Sequence, residues 1–295
     1  MDKNLCSNFI LVTKNFPDQL DSDGKYTFKD NEHFKEYCTN DCDNPLEKIN
    51  AVCLYLLYTF FGSSELFQSV ANSNVDIVEY IMIWLSYMLN LKENTDSTIS
   101  HLEHFYTTYI DGGSSYKQTI ENVTQYTNYK DLIDTKKYYL KMDNTIVSKL
   151  YNAFKLLCEI YTEFNGNMSN CTKCSEKANK FVNQYEELND PNNIKDIAYC
   201  QALFILSNDY NNLKNNCKSF RSLPEITKKC SAQMSVVTSS SSSIANKLFI
   251  VLSIFGAIGI FWGISYKYSL FGFRKRFKKQ QIKEKIKNIK KKLDH

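Results

Sequence analysis

A chain of 295 residues with 36 Lys/Arg and 32 Asp/Glu has only four His, one of them C-terminal, which leaves histidine-based catalysis little to work with. The net charge of +4 hides an asymmetry: residues 267–295 hold twelve Lys/Arg against Glu284 and Asp294, about +10, and the remainder is about −6. Nine Gly and four Pro are too few turn residues for a β-sandwich of this length, so an all-α fold is expected.

Residues 1–44 are polar and aromatic and read as part loop, part short helix. The apolar run Phe9–Val12 lies between Asp2, Lys3 and Lys14 and falls short of the roughly 7–15 residues of a secretory leader. A first helix is expected from Pro45, with Leu46, Ile49, Cys53, Leu56, Leu57 and Phe60 on one face and Gly62 as its stop. Asp76 opens a second, Ile77–Leu89, apolar almost all round and too short to span a bilayer. It should be the buried central helix, with Trp84 in the core. Ser97 should cap a third, carrying Ile99, Leu102, Tyr106 and Tyr109, ended by Gly112-Gly113. Residues 111–142 are again irregular. A fourth helix is expected over Asp143–Phe164, turned by Asn165-Gly166-Asn167. A fifth runs from Ser175 to the break at Asp190-Pro191, and a sixth covers about Asp196–Cys217.

Thr238–Ser243 has no apolar side chain to bury and reads as a flexible stalk. The nineteen uncharged residues Leu248–Tyr266 then span about 28 Å as a helix, close to the bilayer core. The basic flank places residues 1–247 outside and 267–295 in the cytosol. With no leader, the span itself must act as the targeting signal. Gly259 and Gly263, four apart within it, would allow a weak homodimer through close helix approach. In the tail, Ile282, Ile286, Ile289 and Leu293 form an apolar stripe among lysines. With Arg274, Lys275, Arg276, Lys278 and Lys279 it suits an anionic inner leaflet. Nucleic acid is not expected as a partner, because the lipid is already adjacent. The organisation is thus a helical Cys-rich ectodomain over 1–230, a Ser-rich stalk over 231–247, a transmembrane helix over 248–266 and a basic amphipathic tail over 267–295.

Ten cysteines, Cys6, Cys38, Cys42, Cys53, Cys158, Cys171, Cys174, Cys200, Cys217 and Cys230, all precede the span. An even count on the side expected outside points to disulfides, with connectivity open. Cys171-x2-Cys174 with Cys38-x3-Cys42 is the one arrangement that zinc would fit; two separate half-cystines is the plainer reading. His101 and His104 stand three apart on a surface-type helix without the H-E-x-x-H pattern. No phosphate loop or nucleophile elbow occurs, so neither enzyme nor cofactor is expected. Sequons occur at Asn122, Asn167 and Asn170. Arg221-x-Leu223-x-Glu225 fits a pentameric export pattern, but cleavage there would sever the head from its anchor.

Several segments carry a family resemblance: the Cys6 start, Glu32-His-Phe-Lys-Glu-Tyr-Cys38, Ile49-Asn-Ala-Val-Cys53-Leu-Tyr, Tyr80–Leu91, Phe154-Lys-Leu-Leu-Cys158 and Cys171–Asn179. Ser239–Tyr268 and Ser269-Leu-Phe-Gly-Phe-Arg-Lys-Arg276 are the most specific. Over nearly its whole length the chain resembles the Plasmodium interspersed repeat (PIR) proteins in their rodent-parasite (YIR/BIR/CIR) form. The resemblance implies a non-enzymatic, single-pass surface or exported variant antigen that meets an unknown host protein or cell-surface ligand. An internal membrane adaptor, with the basic tail recruiting lipid or cytoskeleton, is the competing reading.

Overall fold

The computed structural model describes residues 1–92, 101–142, 144–164, 168–194 and 196–231. The described residues form helices and turns, with no strand among them. They belong to one unit, Met1–Met234. Apart from Ser231, the expected stalk, span and tail lie outside the described residues, as do Ser97 and Ile99. Among the described residues no helix is long and apolar enough to cross a membrane.

Helix α1 (Lys3–Asn15) starts where the Asp2 carboxylate accepts the Leu5 N–H at 2.9 Å, and it buries Leu5, Cys6, Phe9 and Val12. α2 (Pro45–Phe61) begins with proline at a position whose N–H a helix does not need, while Asn44 accepts the Leu46 N–H at 2.8 Å. The short α3 (Ser64–Ser69) is capped by Ser63. α4 (Ile77–Leu89) buries every residue but Tyr87. α5 (His101–Phe105) runs into a π-helical turn, Tyr106–Asp111. α6 (Tyr129–Asp134) is capped by Asn128. α7 (Asn144–Glu163), α8 (Met168–Leu188) and α9 (Ile197–Asn216, capped by Asp196) complete the fold.

The N-terminal segment combines helix and loop, and its helix runs 13 residues because the spacing of Leu5, Cys6, Phe9 and Val12 gives it an apolar face. One expectation needs correction. The fifth expected helix begins at Met168 rather than Ser175, with both Cys171 and Cys174 inside it. A bridge from Cys171 to Cys217 fastens that early turn to the C-terminal end of α9.

α7 organises the core: α8, α4, α1 and α9 all pack on it, and α2 packs on α4. Phe9 meets Phe154 edge-on at 4.8 Å, and Tyr80 stacks on Phe154 at 4.6 Å, so α1, α4 and α7 share one aromatic centre. Trp84 is fully buried, as expected, although its indole N–H has no acceptor among the described residues. The irregular 16–34 stretch is held by aromatic contacts rather than periodicity. Phe16, Phe28 and Phe34 pack successively at 5.0 and 5.5 Å, and Tyr26 Oη donates to Met88 O.

Candidate functional site

Four disulfides staple the head: Cys6–Cys158, Cys38–Cys42, Cys171–Cys217 and Cys200–Cys230. Of the ten candidate cysteines, Cys53 and Cys174 are buried free thiols. Cys53 lies inside α2, and burial pushes its thiol up to about 12, against a small opposing effect of Tyr116. It therefore stays protonated and behaves as a small core residue. Burial, with Glu163 adding to it, also raises the Cys174 thiol. The Cys-x2-Cys pair is split: Cys171 goes to Cys217 and Cys174 pairs with nothing.

The zinc reading lacks its thiolates, because Cys38 and Cys42 are bonded to each other. Among the described residues no three His, Cys, Asp or Glu gather into a metal-sized group. His101 Nδ1 lies 2.7 Å from the Leu89 carbonyl, so it caps the end of α4, while His104 faces solvent.

Among the described residues two acids lie buried, and both tie distant segments together. Glu79 on α4 is held by Lys136, by Tyr139 Oη at 2.9 Å and by Tyr138 Oη at 3.3 Å. Burial raises its pKa, and the nearby ammonium offsets that only in part. Asp209 on α9 accepts from Tyr80 Oη and pairs with the Met1 ammonium at 2.5 Å, while its own carbonyl accepts from Tyr161 Oη at 2.8 Å.

Asn122 is exposed, in left-handed backbone at φ 60°, on the loop between the π turn and α6. The side chains of Asn167 and Asn170 lie outside the described residues. In the export-like pattern, Arg221 is engaged by Asn183 at 2.8 Å and by Glu186. Cleavage after Leu223 would not release the head, because Cys200–Cys230 bridges the cut; the expectation of severance is corrected by that bond.

The surface has an aromatic side as well. Tyr37, Tyr55 and Tyr58 gather over α2, with ring centroids 6.1 Å (Tyr37–Tyr55) and 6.0 Å (Tyr37–Tyr58) apart. Beside them the 112–128 loop is anchored by two buried tyrosines: Tyr116 Oη donates to Asn50 Oδ1 at 2.7 Å, and Tyr126 Oη donates to Phe61 O at 2.9 Å. Sequence reasoning passed over this arrangement.

Taken together, these features define a disulfide-stapled helical ectodomain. The family model described as Plasmodium variant antigen protein Cir/Yir/Bir matches residues 6–267. A solved structure described as a Plasmodium PIR protein ectodomain is similar at TM-score 0.57 and 29% identity, covering 76% of this chain and 96% of that one. Among curated proteins, none matches. The chain belongs to the Plasmodium Cir/Yir/Bir variant antigen family.

Proposed function

We propose that this variant antigen is a single-pass membrane protein that displays its helical head outside the parasite or infected cell and acts by contact with host molecules, without catalysis. The observation that carries the reading is the reach of the family match. It runs from the first cysteine of the head through residue 267, across the apolar stretch 248–266. The four bridges support an oxidising location for the head. The basic residues after the span support an inward tail, resting on anionic lipid through Ile282, Ile286, Ile289 and Leu293. In this reading sequence differences between family members fall on the host-facing head, the setting of antigenic variation.

Protease applied to intact infected cells tests it, read with one antibody to the head and one to residues 274–295. The head signal should disappear and the tail signal survive on a short membrane-protected fragment. A protected head would favour the adaptor reading, and a digested tail would invert the topology.

A further inference from the structure

Between the C-terminal end of α2 and the 112–128 loop lies an open groove of about 340 Å³. Tyr58 and Tyr129 form its aromatic wall. Tyr58 is 48% exposed, one of two large hydrophobic side chains left in solvent among the described residues. A Cβ at Gly62 would come within 2.6 Å of the Tyr58 ring, so glycine there leaves the ring its seat against the helix end.

Apart from Gly62 and Ile120, the rest of the lining is polar and includes Ser64, Ser115, Gln118, Thr119, Glu121 and Asn122. None of these six side chains makes a hydrogen bond within the described residues. No lysine, arginine or histidine lines the groove. Nor can the loop readily collapse into it. Tyr116 and Tyr126 anchor it from beneath, Ile120 N–H donates to Thr127 O at 2.8 Å, and Lys130 N–H donates to Tyr116 O at 2.8 Å. The groove is therefore formed before any ligand arrives, at the small end of ligand-site sizes.

These walls select a chemical class. An anion would meet Glu121 with no cation to receive it. A purely apolar ligand would desolvate hydroxyls and amides without replacing their hydrogen bonds. A quaternary ammonium would use the tyrosines and Glu121 but not the hydroxyl and amide wall. A neutral sugar uses both sides. Its C–H face is weakly positive and meets the negative face of the phenol ring. Its hydroxyls each donate and accept, matching Ser, Thr, Gln and Asn.

We propose that this groove binds a neutral glycan, with Tyr58 as the stacking platform and Gln118, Thr119 and Asn122 as polar contacts. The inference names a ligand class for the displayed head, and it rests on the display reading only for the glycan's source on a host surface.

The full chain, made in a bacterial host so that Asn122 is bare and kept in a sugar-free polyoxyethylene detergent, is applied to immobilised neutral and sialylated oligosaccharides. Choline chloride serves as competitor. At least one neutral oligosaccharide should bind, with no gain from sialylation and no competition by choline. Tyr58→Ala should weaken binding about tenfold, and Tyr58→Phe should keep it within about twofold, because the ring face does the work. Gln118→Ala/Thr119→Ala should also weaken it. Unchanged far-ultraviolet dichroism checks that each variant is folded. The proposal is overturned if no neutral oligosaccharide binds, if Tyr58→Ala binds as the parent does, or if choline displaces the glycan. Binding by purified protein does not depend on membrane orientation, so a failed topology experiment and a failed glycan experiment are distinguishable.

Discussion

Glu79 and Lys136 stand 57 residues apart in sequence and meet in an ion pair whose carboxylate side chain is 2% exposed. The ammonium also reaches Asp76 at 3.0 Å, so one lysine ties the region after α6 to the first turn of α4. Burial works against the Lys136 charge, but Glu79, Tyr138 and Asp76 outweigh it and hold its pKa above the ordinary lysine value. Removing one partner of such a pair strands the other. Lys136→Met should therefore cost about 3–5 kcal/mol in denaturant unfolding, and adding Glu79→Gln should recover part of it. A loss below about 1 kcal/mol for Lys136→Met would mean that the pair contributes little.

Alkali should unfold the head. Burial pushes Tyr26, Tyr185 and Tyr210 from the ordinary 10.0 to about 12, and Cys53 from 9.0 to about 12. Each folded pKa lies above its unfolded value. The stability these groups contribute is present in full below the unfolded value and is lost as pH rises towards about 12. Loss of helical dichroism and the rise of phenolate absorbance should coincide in that window. Ionisation of most of the twenty tyrosines with helicity intact would contradict the burial.

The bridges should differ in worth. Cys6–Cys158 joins residues 152 apart, and Cys38–Cys42 joins residues 4 apart. Loop-closure entropy then gives about 5 kcal/mol for the first and about 2 kcal/mol for the second. Paired Cys→Ser variants, compared by denaturant midpoint, measure the difference. Alkylation of the unreduced, denatured chain should modify two thiols, Cys53 and Cys174, and neither should react readily in the native protein. More than two modified thiols would show that a bridge is missing.

Two conservative changes on α4 should diverge. Trp84→Phe loses volume but also removes an indole N–H that has no acceptor, so it should fall within about 1 kcal/mol of the parent. Tyr80→Phe takes a donor from the Asp209 carboxylate and should cost about 1.5–3 kcal/mol. Equal costs would show that unmet polar demand does not decide stability here.

How much of this was legible in the sequence depended on whether the signal was local. α2, α4 and α9 could be read because Pro45, an unbroken apolar run and Asp196 are local signals. α1 carried the same kind of signal in Asp2, Leu5, Cys6, Phe9 and Val12, but the polar composition around it obscured the period. α3 and α6, six residues each, are too short to show one, although Ser63 and Asn128 mark their starts. The disulfide partners and the groove were out of reach for a different reason. Tyr116 and Tyr126 shape the groove through Asn50 and Phe61, 66 and 65 residues away. Contacts of that range arise only once the helices have packed.

The bridge between Cys200 and Cys230 has a mechanical consequence. Residues 218–229 lie between Cys217, bonded to α8, and Cys230, bonded to α9. Tension applied to the chain beyond Ser231 is therefore passed through a covalent bond into the first turn of α9. It bypasses the segment between the two bridges, in which Leu223 and Ile226 pack against the core. On the proposed single-pass reading, a pull between head and membrane would meet this covalent bond before it reached the segment between the two bridges.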